Sequence, residues 1–591
     1  MKKILKFFKN KKNKINFSNI DFIFSIFLVL SVFYGYKLYN LQVINGSFYR
    51  EKLNNQYYGK VTGKVLNRGD ILFSQRDGGL TPAAVLKSDF TLAIDNRNLG
   101  EPEEVFKTLN SITEIDRDYF LKKASKEDDP YEEVKNNISN LVAKEIRDEK
   151  IPGVILVEDK NRNYPHSELA SDVLGFLSYK GDDLKATYGI EKYYDNILKR
   201  DDSNVQVNIF ADIFNVIRNI NNNSILEKNI AKEGNIVLTI EPTVQAFLEK
   251  EVQKVDSKFG SQYTTALIMN PNNGEIVAMA SSDNFDLNSS KKHYNNHLVE
   301  EIHEFGSIFK PLTVAIGLDS GSIDKDYTYN DTGSITLNTK TFYNFDKKGR
   351  GPETDLQTII SRSLNTGTAE IALEIGKSTF HDYLDLLKLG QRSGIDLPNE
   401  IKGRIDNVKN GKNIELATAS FGQGIAPTGI GLARALASLA NGGYLVEPHV
   451  VKKVEYGDLI PSKEIDHDKK KVKVLGKESV DQVTNYLVKS VDQFYFSGDY
   501  SNKDYGVAAK TGTAQIASKF GGYEENAFLH SYFGYFPNYE TEEDQEKFFV
   551  FIFTVRPENV KYASGSLTDP FFNTVDFLIN YYKVKPDRLS E

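Results

Sequence analysis

Glu304-Phe305-Gly306-Ser307-Ile308-Phe309-Lys310-Pro311 is the stretch from which the rest of this chain is read. It has the makings of a buried helix start: a glycine, a hydroxyl, two large apolar residues and a lysine. Residues three apart share a helix face, so Ser307 and Lys310 are expected side by side. A serine hydroxyl is a weak nucleophile until a base stands next to it. A lysine serves as that base only when its pKa falls, through desolvation or a second nearby cation. Ile308 and Phe309 offer the desolvation. Ser-x-x-Lys alone is a cheap pattern, and the chain repeats it at Ser289 and Lys292. That copy lies in Asn288-Ser289-Ser290-Lys291-Lys292, a polar run expected as a solvated loop whose lysine stays protonated.

Downstream residues separate the two copies. Ser363-Leu364-Asn365 follows Ser307 by about 56 residues, and Lys510-Thr511-Gly512-Thr513 follows Ser363 by about 147. Ser-x-x-Lys, Ser-x-Asn and Lys-Thr-Gly, in that order, are the signature set of the penicillin-binding proteins and serine β-lactamases. Each piece is weak by itself; the ordered triple is strong.

The chain has 591 residues, enough for two or three domains, with globular proportions of hydrophobic (40%) and charged (26%) residues. It has no Cys, which excludes disulfides, thiolate catalysis and cysteine-ligated metal. The net charge is -8, but residues 1–20 hold seven lysines and no acid, so the remainder carries -15. That body lacks the basic surplus of a nucleic-acid binder. After the lysines comes an uncharged run from Phe22 to Tyr36, extended by Ile20 and by Leu38 to Ile44. It reaches the length of a membrane span, with Asp21 and Lys37 at its edges. Lysines ahead of the span place the N-terminus in the cytoplasm and the body outside. No small-x-small cleavage site follows, so an uncleaved single-pass anchor is expected.

The expected organisation is a basic cytoplasmic tail (1–19), a transmembrane helix (20–41), a pedestal region (42–235) and a catalytic region (236–591). In the pedestal, a strand is expected to begin in Asn67 to Leu72, and helices over Val134 to Ile146 and Glu168 to Leu177. Arg218 to Asn235, with Asn221-Asn222-Asn223, reads as a linker. The catalytic region should open with a strand at Ile236 to Ile240 and a helix at Pro242 to Val255. A hairpin then joins Thr264 to Met269 with Glu275 to Ala280 through Pro271-Asn272-Asn273-Gly274. Late strands are expected at Ser531 to Phe536 and Lys547 to Arg556, an exposed loop over Lys463 to Lys473, and a last helix over Phe571 to Tyr582. Together these predict an α/β (α+β) body with an antiparallel sheet. His293 and His297 have metal-ligand spacing but lack the glutamate of the zinc-protease motif, so no metal role is assigned.

At this point the sequence resembles a class B penicillin-binding protein. In the catalytic region the resemblance is carried by the three motifs, by Thr418-Ala419-Ser420-Phe421-Gly422-Gln423-Gly424-Ile425 and by Phe533-Gly534-Tyr535-Phe536-Pro537. In the pedestal it is carried by Arg68-Gly69-Asp70-Ile71, Arg162-Asn163-Tyr164-Pro165, Val173-Leu174-Gly175-Phe176 and Tyr188-Gly189-Ile190-Glu191. The chain departs from the family in having Phe305-Gly306 for the usual Pro-Gly, and a longer Leu72 to Gly78 turn. No glycosyltransferase motif set is present.

The resemblance implies a penicillin-binding transpeptidase fold on an elongated α+β pedestal, and a D,D-transpeptidase that cross-links peptidoglycan stem peptides through a serine acyl-enzyme. Ser307 is then the nucleophile and Lys310 its base. Ser363 relays a proton, Asn365 binds Lys310 or substrate, and Lys510, Thr511, Gly512 and Thr513 form the carboxylate and oxyanion side. β-Lactams are implied as covalent inhibitors, with a membrane glycosyltransferase and division-complex proteins as partners; no cofactor, metal or nucleic acid is implied. Ser363-Leu364-Asn365 with Lys510-Thr511 leans towards the division type. A β-lactamase or a penicillin-sensing receptor would use the same triple and stand as the alternatives.

Overall fold

The computed structural model describes residues 67–588 apart from 127–128, 181–182, 201–232, 290–293, 457–461, 465–470, 495–497, 519 and 539–545, and also residue 31. The tail (1–19), all but one residue of the expected span (20–41) and most of the expected linker lie outside them. Among the described residues no helix is long and apolar enough to cross a membrane. Ser88–Lys160 form one compact unit; Asn67–Lys87 with Asn161–Glu591 form a second.

In the smaller unit, the strand Glu132–Ile138 pairs antiparallel with residues 90–94 (Ile94 opposite Glu132). The helices Pro102–Ile112, Arg117–Ala124 and Asn140–Asp148 share with this ribbon a core of Phe90, Leu92, Ile94, Leu109, Phe120 and Ile146. The helix expected from Val134 is therefore a strand followed by a helix. Ser139 makes the break: its hydroxyl accepts from Val142 N and caps the helix that starts after it.

In the larger unit, β1 (Ile71–Ser74) runs parallel to β2 (Gly234–Leu238), with Ile71 opposite Ile236. Three of the pedestal motifs converge beside β1. Glu191 accepts from Arg68 Nε at 2.5 Å and from Arg162 Nε at 2.6 Å, and Arg68 Nη2 bonds the Glu191 carbonyl at 2.6 Å. The helix expected over Glu168 to Leu177 shrinks to Ser171–Leu174. Gly175, with φ +68°, ends it; a Cβ there would lie 1.9 Å from the Tyr188 carbonyl oxygen, so the backbone must turn where the helix would continue.

The catalytic part is built on a five-stranded antiparallel sheet. α1 (Pro242–Phe259) precedes β3 (Tyr263–Met269) and β4 (Ile276–Ser281), the expected hairpin. α2 (Lys310–Asp319), α3 (Leu356–Ser361), α4 (Asn365–Ile375) and α5 (Lys477–Gln493) make up a helical middle. The chain returns to the sheet in β5 (Ala508–Ala517), β6 (Tyr523–Phe536) and β7 (Phe548–Val555), and ends in α6 (Ala563–Tyr582). The spatial order is β5-β6-β7-β3-β4, so β5 is an edge.

Both faces of the sheet are covered, and successive residues of a strand serve opposite cores. Ala266, Ile268, Val550 and Ile552 pack with Val244 and Leu248 of α1 and Phe571 and Val575 of α6. Leu267, Phe533, Phe551 and Phe553 pack with Phe305, Ile308 and Phe309. α6 starts at Ala563 rather than Phe571, because Pro570 is accommodated inside it instead of stopping it. Of the Lys463 to Lys473 loop, residues 463–464 and 472–473 are short strands and 465–470 lie outside the described residues.

Candidate active site

Gly306–Phe309 form a single 3₁₀ turn that runs into α2 at Lys310. Ser307 thus sits in a tighter turn than the expected α-helix, where residues three apart eclipse and Lys310 stays on its face. The turn is held against the edge strand β5. Gly306 has φ +67°, and a Cβ on it would stand 2.8 Å from the Thr513 carbonyl oxygen. Only glycine allows this approach, which accounts for the glycine at the entry to the turn. Ser531 Oγ donates to the Phe305 carbonyl at 2.9 Å, and Gly306 N donates to the Gly422 carbonyl at 3.3 Å. Among the described residues the half-buried Ser307 hydroxyl has no hydrogen-bond partner.

Lys310 is fully buried. Its Nζ donates to the Ser363 carbonyl at 2.5 Å and reaches Ser363 Oγ at 3.1 Å. Lys510, from β5 and also buried, reaches the same Oγ at 3.1 Å and donates to the Thr511 carbonyl at 2.9 Å. Two buried lysines therefore meet at one hydroxyl. Burial, with the Lys510 charge beside it, holds Lys310 well below the usual lysine range. Burial alone pulls Lys510 down to about 7.

These depressed pKa values have a consequence for stability. In the unfolded chain Lys510 titrates near 10.5, so between about pH 7 and 10.5 the unfolded state binds the extra proton and stability rises with pH. Lys510→Met should raise stability at pH 7 by about 2–4 kcal/mol, each pKa unit being about 1.4 kcal/mol, and should flatten the rise in melting temperature between pH 7 and 10. A variant with the wild-type slope would contradict this.

Ser363 lies between α3 and α4 with φ +54°, a left-handed backbone that costs a non-glycine residue about 1 kcal/mol. Ser363 N to Ile360 O and Leu364 N to Ile359 O close the turn that aims its hydroxyl at the lysines. Asn365 Nδ2 donates to the Tyr343 carbonyl at 2.8 Å, not to Lys310. Next to it, the buried Asp331 carboxylate accepts from Thr366 Oγ1 (2.8 Å), Asn344 Nδ2 (3.0 Å) and the Gly333 and Arg350 amides. Asp331, Tyr343 and Asn344 are residues that sequence reading missed. No local pattern marks them, because their role exists only once the segment packs on α4.

On β5, Gly512 passes so close to the nucleophile segment that a Cβ would lie 2.7 Å from the Phe305 carbonyl oxygen. Thr511 and Thr513 are partly exposed along this edge, and Thr513 Oγ1 accepts from Ala563 N of α6 at 3.0 Å. The structure thus brings Lys310, Lys510 and Ser363 into direct contact, sets the Ser307 turn against β5 at Gly306 and Gly512, and starts α4 at Asn365 two residues after Ser363; this cleft is the candidate site. Ser289 is not part of it; its amide bonds Asp286, and Lys292 lies outside the described residues. His293 also lies outside them. His297 is buried between Asp283 (3.0 Å) and Glu301 (2.9 Å) and stacks on Tyr263, and these carboxylates push its pKa up to about 9 against the burial that lowers it.

Such a constellation suits acyl transfer: a serine, a lysine whose proton burial and a neighbouring cation loosen, a second hydroxyl bridging two lysines, and an edge strand beside them. Residues 264–575 match the penicillin binding protein transpeptidase domain, and residues 67–229 the penicillin-binding protein dimerisation domain. Stage V sporulation protein D of Bacillus subtilis is 29% identical over 523 residues, covering 86% of this chain and 77% of its own. Peptidoglycan D,D-transpeptidase FtsI of Buchnera aphidicola (subsp. Schizaphis graminum) is 25% identical, covering 100% of this chain and 98% of its own. Among solved structures, penicillin binding protein 2X of Streptococcus thermophilus superposes with a TM-score of 0.71 at 20% identity, over 88% of this chain and 81% of its own. Penicillin binding protein 3 of Mycobacterium tuberculosis, complexed with ampicillin, superposes with a TM-score of 0.64 at 19% identity, over 89% and 97%.

Proposed function

The chain belongs to the penicillin-binding protein transpeptidase family, in its class B form with a dimerisation domain, and on that premise we propose that it is a membrane-anchored peptidoglycan D,D-transpeptidase of the division type. The observation that carries this is the meeting of Lys310 and Lys510 at Ser363 Oγ, with Ser307 one turn before Lys310.

Ser307 Oγ attacks the carbonyl carbon between the two D-alanines of a stem peptide, and its proton passes to the neutral Lys310 amine. The Ser307 and Thr513 amides receive the oxyanion; losing one such donor typically costs about 3–4 kcal/mol. Collapse breaks the C–N bond. The departing D-alanine nitrogen takes its proton from Ser363 Oγ, which Lys310 Nζ replenishes from 3.1 Å. Lys510, Thr511 and Thr513 hold the terminal carboxylate. An amine of a neighbouring stem peptide then attacks the ester carbonyl and gives a proton to Lys310; the C–Oγ bond breaks and Lys310 returns that proton to Ser307 Oγ. With a β-lactam the leaving nitrogen stays tethered, so the acyl-enzyme persists.

The septal role is favoured by the relatives named FtsI and by Ser363-Leu364-Asn365 with Lys510-Thr511; division-complex partners, a glycosyltransferase among them, are what that role would require. The anchor is supported by the seven lysines ahead of the apolar run. Fluorescent penicillin should label the protein one-to-one and durably, on the outer face of spheroplasts, where added protease digests the body. Label cleared within minutes by turnover would mean a β-lactamase; a body fully protected from protease would remove the anchor topology.

A further inference from the structure

His530 is fully buried and lies directly across the β5–β6 pairing from Thr513. Its ring nitrogens touch the turn that leads into α6. Nε2 lies 3.2 Å from the Lys561 carbonyl, which can only accept, so Nε2 carries the proton. Nδ1, 2.8 Å from Ser566 Oγ, is then the acceptor for the Ser566 hydroxyl, whose other contact, to the Ala563 carbonyl, is longer at 3.3 Å. Burial keeps the ring neutral, with a pKa near 4. One tautomer thus clamps both ends of the segment 561–566.

That segment carries Ala563, the first residue of α6. A helix leaves its first amides without partners, and its own N-cap residue normally answers one of them. Tyr562 does not; it provides no side-chain cap. The Ala563 amide donates instead to Thr513 Oγ1 at 3.0 Å. With that lone pair filled, the Thr513 hydroxyl proton is directed away from α6, into the cleft.

We propose that His530 and Ser566 are positioning residues that hold the N-terminus of α6 against Thr513, so that the Thr513 hydroxyl is presented as a hydrogen-bond donor to the carboxylate of the acyl donor. This rests on the transpeptidase reading above, and it adds a direction to the carboxylate site. The relay acts through Thr513 and touches neither Ser307 nor the lysines.

The test compares acylation of the full-length protein by benzylpenicillin and by its methyl ester, whose carboxylate charge is blocked. Wild type should prefer the free acid. Ser566→Ala should lower that preference about tenfold, as for one misaligned hydrogen bond to a charged group, while the rate with the ester stays within about twofold. Ser566→Thr, which restores a hydroxyl, should recover it. His530→Asn, read in the same way, serves as the second variant should Ser566→Ala fail to fold. Equal losses with acid and ester, or an unchanged preference, would overturn the relay and leave the transpeptidase reading intact. A wild-type protein acylated by neither compound would overturn both.

Discussion

Ser307→Ala should abolish the penicillin adduct while the protein still folds. The hydroxyl makes no hydrogen bond to any described residue and caps no helix, so its removal takes away no stabilising bond. The loss of labelling should therefore be complete, with a melting temperature close to wild type. Ser289→Ala should label normally, since that serine lies outside the cleft. Ser363→Ala should still label, but about 10²–10⁴ slower, because it removes a proton relay rather than the bond-forming atom. It also takes from Lys310 and Lys510 the oxygen that both reach at 3.1 Å. Mass spectrometry of the adduct peptide decides the matter: an acylated serine other than Ser307 in wild type would overturn the assignment.

The largest loss of stability should come from a residue well away from the chemistry. Glu191 is fully enclosed, with 0% of its side chain exposed, against 4% for Arg68 and 3% for Arg162. It bonds both guanidiniums, and Tyr164 Oη donates to it at 3.3 Å. Asp195 takes a third contact from Arg68 at 2.6 Å but is itself half-exposed. Removing the carboxylate leaves two buried cations short of their counter-charge. The expected cost of Glu191→Ala is about 3–5 kcal/mol, the usual penalty for orphaning a buried charge. Replacing Arg68, Arg162 and Glu191 together with apolar residues of similar size should cost less than the single change, since the pairing largely offsets the desolvation of its own members. Thermal and urea unfolding of the solubilised chain would measure both. A loss below about 1 kcal/mol for Glu191→Ala would show that water or a neighbour replaces the carboxylate.

The residues of this cluster were visible in the sequence as three separate motifs; their shared purpose was not. Arg68 and Glu191 are 123 residues apart, and no periodicity links them. The same limit appears at Asn365, whose amide turned out to reach the Tyr343 carbonyl, and at Asp331, which has no motif of its own. His297 stood out in the sequence only by its spacing from His293, yet it lies buried between two carboxylates supplied from 14 residues before it and four after.

What the sequence by itself determined was whatever depends on neighbours a few residues away. The hairpin at 264–280 follows from two apolar runs around Pro271-Asn272-Asn273-Gly274. The serine and lysine share a face whether the turn is α or 3₁₀, because residues three apart meet in both. The order of the three motifs named the chemistry class, since each is a short local pattern. Only the tertiary structure decided the protonation states and hydrogen-bond directions on which that chemistry runs. Lys310 and Lys510 are ordinary lysines in a linear chain; folding strips their water and sets them on one oxygen, and this lowers their pKa. Thr513 is one more hydroxyl until α6 arrives with an uncapped amide and turns it. Desolvation and hydrogen-bond geometry are properties of the assembled surroundings, contributed here from 50 to 150 residues away, and no window of sequence contains them.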